Sequence, residues 1–272
     1  MRMTAAALGV FSLVFTAFPS SVSAQYSTPP PSDRATGETY HVEIGGMFWR
    51  PSPDIAITSE SLGIIGSTID FVTDLGIEKR SFRQVKVVLR PSTRTKFRFE
   101  YTPITYESRA TLRRPVIFNG ISYPIALPVD TELEWKAYRF GFEYDFLYRE
   151  RGFIGLLLEA KYTHVEATLA NVIDTEFVRA RAPIPAIGFI GRGYVVQNVS
   201  ITGEFSFFKL PESINEDYRA KYYDFDLYGT INFTDNFAAQ GGYRSLDVFY
   251  RVDSDEGELT LKGLYVGGVV RF

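Results

Sequence analysis

Large apolar residues alternate with polar residues along much of the chain. In residues 219–233, Tyr223 and Phe225 belong to one face of an extended segment, and Asp224 and Asp226 belong to the other. A period of two predicts a β-strand with one apolar face and one polar face. Runs of this kind predict ten strands, at about residues 39–50, 80–91, 95–107, 130–148, 152–168, 182–196, 198–210, 219–233, 236–252 and 258–272.

The connections between the predicted strands alternate in length. Strands 2–3, 4–5, 6–7 and 8–9 are joined by very short turns, and the remaining connections are longer, above all residues 51–79 and 108–129. An even-stranded membrane barrel has this order, because its short turns lie in the periplasm and its longer loops lie outside the cell. The strands are also longer than the roughly 5–6 residues typical of soluble sheets. The predicted fold class is therefore all-β: a ten-stranded antiparallel transmembrane β-barrel with long extracellular loops.

Composition is compatible with such a barrel. The mean hydropathy is −0.05, but lipid-facing and lumen-facing residues alternate along a barrel strand and cancel in any average. The absence of Cys excludes a disulfide scaffold and a thiolate zinc site. The net charge of −3 gives no electrostatic reason to expect nucleic acid as a partner.

The N-terminus has the pattern of a secretory signal peptide. Arg2 supplies the positive charge, an apolar run follows, and Ala24 ends a small-residue cleavage site. The apolar run is about 14 residues, shorter than the roughly 20 that a membrane-spanning helix needs. We therefore expect residues 1–24 to be the signal peptide, the Pro- and Ser-rich residues 25–38 to be a flexible periplasmic leader, and residues 39–272 to form the barrel.

Aromatic residues are predicted to face outward at the periplasmic end of the barrel. Barrels carry such girdles at the membrane interfaces, because aromatic rings are apolar in body and tolerate water at their edges. The predicted girdle consists of Tyr40, Phe97, Phe146, Phe233, Phe237 and Phe272.

The last predicted strand ends in Phe272, with Val270 two residues before it, Gly267 five residues before it, and Tyr265 at the start of the segment. This segment resembles the C-terminal assembly signal of bacterial outer-membrane β-barrel proteins. The resemblance implies a location in the bacterial outer membrane, with the barrel assembly machinery, outer-membrane lipid and lipopolysaccharide as partners. Ten-stranded relatives include surface proteases of the omptin type and adhesin-like barrels, so the fold does not choose between functions.

Charged residues of both signs are predicted to face the lumen. Ten strands enclose a narrow interior, and buried charges are costly unless they are paired, so the near balance of acids and bases indicates ion pairs that close the lumen. A narrow conduit is the alternative, although a selective pore more often carries one dominant sign. Asp145, Glu159, Arg90, Lys96 and Arg271 face the same way. The predicted network consists of Glu43, Lys86, Arg98, Glu100, Arg139, Glu143, Lys161, Arg192, Glu204, Asp224, Asp226 and Arg244.

Catalytic and metal-binding residues are not indicated. Omptin-type proteolysis needs a His–Asp pair and an Asp pair at the extracellular rim, whereas His41 is near the periplasmic end and His164 faces outward. Outer-membrane phospholipases and lipid A deacylases place Ser two residues after their His, and here both positions hold Glu. Asp224 with Asp226, and the acidic residues 253–258, could offer oxygen ligands but match no calcium-loop motif. We expect no enzyme activity and no cofactor.

The two longest outer segments are the candidate functional elements. Apolar residues in 69–77 could pack over the barrel mouth, and Asn119-Gly120 between apolar runs predicts a hairpin. Segment 108–129 fits either a lid or an exposed ligand-binding surface, with an unknown extracellular ligand. The sequence favours a non-enzymatic barrel with a mostly closed lumen that acts in surface binding, adhesion or envelope integrity. The alternatives are a narrow solute channel and a hydrolase with an unfamiliar site.

Overall fold

A computed structural model describes residues 35–58, 60–61, 64–118, 120–170, 175–210, 218–252 and 255–272. The predicted signal peptide and residues 25–34 of the predicted leader lie outside the described residues, as does Asn119 of the predicted hairpin turn. Within the described part of the chain, no helix is long and apolar enough to span a membrane.

Ten long strands pair antiparallel, each with the next along the chain, and the last pairs with the first. The first contact of this closure sets Glu43 opposite Arg271, and the last sets Thr58 opposite Glu256. The predicted closed ten-stranded barrel is therefore confirmed. Its strands are β1 (Val42–Thr58), β2 (Phe82–Ser92), β3 (Thr95–Thr111), β4 (Pro128–Arg149), β5 (Gly152–Ala170), β6 (Thr175–Val196), β7 (Val199–Lys209), β8 (Tyr218–Asn232), β9 (Phe237–Val252) and β10 (Asp255–Arg271).

Several strands extend beyond their predicted ends. β1 runs through Pro51 and Pro53 to Thr58. Beyond Trp49 it no longer pairs with β2; it pairs with β10 and, at Ala56 and Ile57, with the short strand Ile69–Asp70. Proline is tolerated there because an edge position need not donate a hydrogen bond. β5 and β6 are separated only by residues 171–174, and β9 and β10 only by residues 253–254. The predicted alternation of long and short connections is therefore wrong at these two places. The connections there are short because the paired strands continue beyond their predicted ends.

The barrel has a turn end, which carries the four connections 93–94, 150–151, 197–198 and 233–236, and an opposite loop end. Segments 59–81 and 112–127 belong to the loop end. Short strands there are Glu60–Ser61 paired with Ile64–Ile65, Ile69–Asp70 paired with β1, and Val116–Phe118 paired with Ile121–Tyr123.

Five of the six predicted girdle residues are exposed on the outside of the turn end: Phe97, Phe146, Phe233, Phe237 and Phe272. The prediction for Tyr40 is wrong. Its ring is buried inside the barrel, 5.1 Å from the guanidinium carbon of Arg90 and 5.5 Å from that of Arg271. The reason is that β1 begins at Val42, so strand alternation does not extend back to Tyr40.

Candidate functional site: the interior of the barrel

Strand alternation brings all twelve residues of the predicted network to the inside of the barrel. Each of these charged residues is buried, with at most 8% of its surface exposed to solvent. The structure divides them among three groups: a central group around Arg139, a second around Glu204, and a third at the turn end that includes Glu43 and Arg192.

Arg139 of β4 lies at the centre of the first group. Its guanidinium nitrogens approach carboxylate oxygens of Glu159, Glu204 and Glu100 at 2.5, 3.4 and 3.6 Å. A fourth carboxylate, that of Asp224, lies 3.9 Å away. Because these acids come from β3, β5, β7 and β8, one side chain of β4 connects five strands through the lumen.

Asp224 is shared by two further cations. Arg244 donates to both of its carboxylate oxygens, from Nε at 3.0 Å and Nη2 at 2.9 Å. Lys161 Nζ lies 2.9 Å from Asp224 Oδ2 and also donates to Ser206 Oγ at 2.8 Å. The second arm of Arg244 reaches Glu100 across the lumen at 2.5 Å. Bidentate arginine pairs of this kind fix both side chains in one geometry.

Glu204 of β7 organises the second group. Nη2 of Arg98 donates to both carboxylate oxygens of Glu204, and Tyr228 donates its hydroxyl at 2.9 Å. Lys86 Nζ lies 3.4 Å from the same carboxylate. The other arm of Arg98 donates to Glu143 at 2.9 Å.

Lys96 extends this group toward the turn end. Its Nζ contacts Glu143 and lies 2.9 Å from Asp145 Oδ2. Asp226 is placed differently from the other acids, since its described partner is the hydroxyl of Tyr265 at 2.8 Å and not a cation.

The group at the turn end includes one carboxylate that the sequence did not predict. Glu38, assigned to the flexible leader, is buried in the barrel mouth and accepts hydrogen bonds from Arg192 at 2.9 Å and from the hydroxyl of Tyr194 at 2.8 Å. Arg90 lies 3.3 Å from its other carboxylate oxygen. Burial raises the pKa of Glu38, but the charges of Arg192 and Arg90 outweigh that effect and lower its pKa to about 2.

Backbone contacts hold the segment before β1 in this mouth. Thr36 N donates to the carbonyl of Gln197, and Asn232 Nδ2 donates to the carbonyl of Thr36. Gly37 has φ +82° and donates to Asp235 Oδ1 at 2.7 Å. The positive φ favours glycine at this position, and a side chain here would also crowd the ends of the Arg271 and Asn232 side chains.

Glu43 and Arg271 complete the turn-end group. Arg271 Nε donates to Glu43 Oε2 at 2.6 Å, and its Nη1 donates to Asn232 Oδ1 at 2.7 Å. These residues face each other in register where β10 closes the barrel against β1.

The loop-end half of the interior is apolar. Trp49, Ile104, Leu133 and Trp135 point inward above the charged groups and are at most 2% exposed. Between the two layers lies a cavity of about 20 Å³ lined by Trp49, Arg139, Arg244 and other side chains. A cavity of that size holds about one water molecule. The charged layer and the apolar layer together fill the lumen.

Segments 51–79 and 108–129 form a cap over this apolar layer. Phe71, Leu75, Val116, Phe118 and Tyr123 are buried in the same hydrophobic cluster as Trp49 and Trp135. Of the two interpretations left open for segment 108–129, the structure therefore supports a lid packed on the barrel mouth.

Polar contacts tie the two halves of the cap together. Arg114 donates from Nε to Asp74 Oδ1 at 3.0 Å, which lowers the pKa of Asp74 through this hydrogen bond. Ser67 N donates to the carbonyl of Ile117 at 2.9 Å, and Ile117 N donates to Ser67 Oγ.

The residues of the predicted assembly signal lie at the barrel seam. Phe272 is exposed on the outside, while its carbonyl accepts from the N–H groups of His41 and Val42 and its own N–H donates to Val42. A side chain at Gly267 would overlap the backbone of β1. Tyr265 points inward to Asp226. Val270 lies on the outer face, between Ile44 and Phe237.

The two histidines lie far apart on the barrel, His41 just before β1 and His164 on β5. His41 Nδ1 is 3.4 Å from the carbonyl of Arg90 at the turn end. His164 Nε2 is 3.8 Å from Glu166 on the outer face of β5. Among the described residues, no three His, Cys, Asp or Glu side chains converge as metal ligands. Asp253 of the acidic segment lies outside the described residues.

No family model matches the chain, and no curated protein matches it in sequence. The structure resembles the outer membrane protease OmpT from Escherichia coli with a TM-score of 0.59 and 10% identity, over 85% of this chain and 96% of OmpT. Weaker matches include Ail, the attachment invasion locus protein of Yersinia pestis (TM-score 0.36, 9% identity, 85% and 99% coverage). Another is the COG4313 outer membrane channel from Pseudomonas putida F1 (TM-score 0.38, 10% identity, 90% and 99% coverage).

These likenesses concern the fold. The chain is a closed ten-stranded β-barrel of the bacterial outer-membrane type, as the sequence predicted. The location of its turn end in the periplasm stays a prediction. Identities near 10% do not carry function from one barrel to another.

Proposed function

We propose that this protein is a non-enzymatic outer-membrane barrel with a closed lumen, which acts at the cell surface through the cap formed by segments 51–79 and 108–129. Its role in this proposal is surface binding, adhesion or support of envelope integrity. The main support for this proposal is that two different layers fill the interior. Paired charges fill the half toward the periplasm, and an apolar cluster fills the half toward the outside.

The charge layer argues against a narrow solute channel. A solute would have to part the ion pairs of Arg139 and Arg98, each of which joins carboxylates from several strands. Breaking a buried pair by losing one partner costs about 3–5 kcal/mol. The apolar layer beyond it offers a permeating ion no compensating ligand.

The cap supports a surface role because its described residues pack on the barrel mouth and still expose apolar side chains. Ile125 is 61% exposed and Val72 is 37% exposed at its outer side, while their neighbours Phe71 and Tyr123 are buried. Val72 and Ile125 are therefore the positions at which this proposal expects contact with a partner. A hydrolase has less support, since the described contact of His41 is with a backbone carbonyl and that of His164 is with Glu166, and neither contact supplies a nucleophile.

Planar-bilayer recording of the purified protein tests the closed lumen, and we expect no steady unitary conductance. Complementation tests the cap: cells lacking the gene receive either the wild-type gene or the V72D/I125D variant, and surface attachment and resistance to bile-type detergents are measured. We expect the variant to assemble normally and fail to restore either property. Steady conductance, or full restoration by the variant, would contradict the proposal.

A further inference from the structure

Three buried polar atoms under the cap have no hydrogen-bond partner among the described residues. They are the hydroxyls of Tyr106 and Thr131 and the indole Nε1 of Trp135, and their side chains belong to residues that are at most 3% exposed. The other tryptophan of the chain, Trp49, by contrast donates to the carbonyl of Gly263 at 3.2 Å. A buried polar group without a partner destabilises the fold, so such groups are rare unless they have a function.

The three residues form one polar patch on the inner wall of the barrel. Tyr106 of β3 lies opposite Leu133 of β4, and Thr131 and Trp135 are the inward residues on either side of Leu133. Diagonal neighbours of this kind are within reach of each other when the side chains are long. All three side chains are neutral, whereas the charged layer begins deeper in the barrel, at Arg139.

Segment 112–127 forms a hairpin lid over the apolar layer that contains this polar patch. Its residues Val116 and Phe118 are at most 2% exposed and lie in the same hydrophobic cluster as Tyr106 and Trp135. The cavity below Trp135 is only about 20 Å³, room for about one water molecule. A larger molecule can therefore reach the polar patch only if the hairpin lid moves and its side chains give up their space.

The base of the hairpin lid is strained. Ala126 has φ +66° and is the only non-glycine residue with positive φ in the described part of the chain. Its N–H donates to the carbonyl of Leu112 at 2.8 Å, and Leu112 N donates to the carbonyl of Leu127 at 3.0 Å. Backbone strain of this kind is concentrated at ligand clamps and switch regions.

The outer contacts of the hairpin lid are weak enough to be released. Arg114, which is exposed, donates to Asp74 and to the carbonyl of Thr68 at 2.6 Å. Exposed ion pairs of this kind contribute about 0–1 kcal/mol. Movement of the hairpin lid therefore breaks a surface pair and leaves the central ion network intact.

We propose that the polar patch binds the oxygen of a neutral apolar molecule, an alcohol the size of one ring or a short alkyl chain, which enters when the hairpin lid moves aside. Tyr and Thr hydroxyls both donate and accept, and the Trp135 N–H only donates, so a ligand hydroxyl satisfies all three kinds of group. Aromatic and aliphatic walls with a few polar atoms are typical of small-molecule sites. The inference goes beyond the proposed function, because it does not depend on what Val72 and Ile125 contact or on conductance.

The test uses intrinsic fluorescence, since both tryptophans of the chain, Trp49 and Trp135, lie in this layer. The full mature barrel in detergent is titrated with cyclohexanol as the probe and with methylcyclohexane as its oxygen-free counterpart, at equal mole fractions in the micelles. We expect a saturable change in tryptophan emission with cyclohexanol. Methylcyclohexane should bind about tenfold more weakly.

The variant Y106F/T131V removes the two unpartnered hydroxyls. We expect it to bind cyclohexanol about tenfold more weakly, to bind methylcyclohexane like the wild type, and to melt at or above the wild-type temperature without a probe, because no hydrogen bond is lost. The control Y194F/T202V makes the same chemical changes at the turn end, where Tyr194 donates to Glu38 and Thr202 accepts from Arg192. It should keep the cyclohexanol affinity within about twofold and lose stability.

The variant R114Q tests the movement of the hairpin lid. It weakens the contacts with Asp74 and Thr68, so a larger fraction of the protein is open, and cyclohexanol should bind about threefold more tightly. The control R251Q breaks the surface pair of Arg251 with Glu256 and should bind like the wild type.

Five results would each overturn the proposal. They are the absence of saturable cyclohexanol binding, equal affinity for the two probes, unchanged affinity in Y106F/T131V, a clear loss of stability in Y106F/T131V, as expected if the hydroxyls hold only water, and an R114Q affinity equal to that of the wild type.

Discussion

Glu38 Oε1 accepts a hydrogen bond from Nη1 of Arg192 at 2.9 Å, joining the segment before β1 to the inner face of β6 across 154 residues of sequence. The contact lies at the mouth of the turn end, where Arg90 and Tyr194 also approach the same carboxylate. Glu38 thereby joins the segment before β1 to the barrel interior. The ionisation of Glu38 should therefore contribute to the free energy of unfolding.

The stability contributed by Glu38 should depend on pH in a defined window. Its pKa is about 2 in the folded protein against 4.5 for an ordinary glutamate, and the difference corresponds to about 3 kcal/mol. Because the folded pKa is depressed, this stability is present above pH 4.5 and is lost as the pH falls toward 2. Urea unfolding in detergent at pH 7, 4.5 and 3 should show that E38Q is less stable at pH 7 and loses less stability on acidification.

The matched control for this prediction is E150Q, which alters an exposed carboxylate in the turn between β4 and β5 at the same end of the barrel. It should follow the wild-type curve at every pH. If E38Q and the wild type lose equal stability between pH 4.5 and pH 3, Glu38 does not carry this linkage.

Assembly should depend on the terminal residue. Deleting Phe272 removes three backbone hydrogen bonds that close β10 on β1, and F272D removes the aromatic side chain while keeping those bonds available. We expect both changes to lower the amount of heat-modifiable barrel in the outer membrane, measured by gel mobility of membrane fractions. F233D, at an exposed aromatic position of the same rim, is the control. Unchanged amounts for the Phe272 variants at low and high expression would remove the argument that the assembly machinery reads this residue.

The orientation of the barrel can be checked by cysteine labelling, since the chain has no native Cys. Single cysteines at Thr73 and Ile125 of the cap should react with an impermeant maleimide on intact cells. Those at Arg94 and Glu150 should react only after the outer membrane is opened. Gly120 is avoided because its φ of +81° disfavours any side chain. Labelling of Glu150→Cys from outside would mean that the barrel is inverted.

Period-two alternation predicted the strands and the inward faces because it is a local property of the chain. It identified Arg98, Arg139 and Glu204 as inward-facing, but it could not predict which carboxylate each cation would bind, since partners come from strands distant in sequence. It also could not reach Glu38 or Tyr40, which precede β1 and follow no strand alternation.

The apolar layer under the cap could have been found from a signal in the sequence. On β4, Leu133 and Trp135 share the inward parity of Arg139, while the outward Glu132 and Glu134 are polar. The parity is constant along the strand, but the polarity of the two faces inverts above the membrane. Beyond the inversion, the inward face of the strand encloses an apolar core, and the outward face is polar and no longer suited to contact with lipid.

The central ion network decides whether the barrel is closed, and Arg139→Ala tests it most directly. The substitution leaves Glu159, Glu100 and Asp224 with fewer cationic partners, and losing one member of a desolvated network costs about 3–5 kcal/mol. We therefore expect a marked loss of thermal stability in detergent, with conductance in planar bilayers still near zero. R109A, which breaks the exposed pair of Arg109 with Asp130, should change stability little, and R139K should fall between the two. A water-filled channel requires the reverse: a small stability loss for R139A, and a steady unitary conductance whose selectivity shifts toward cations when the arginine is removed.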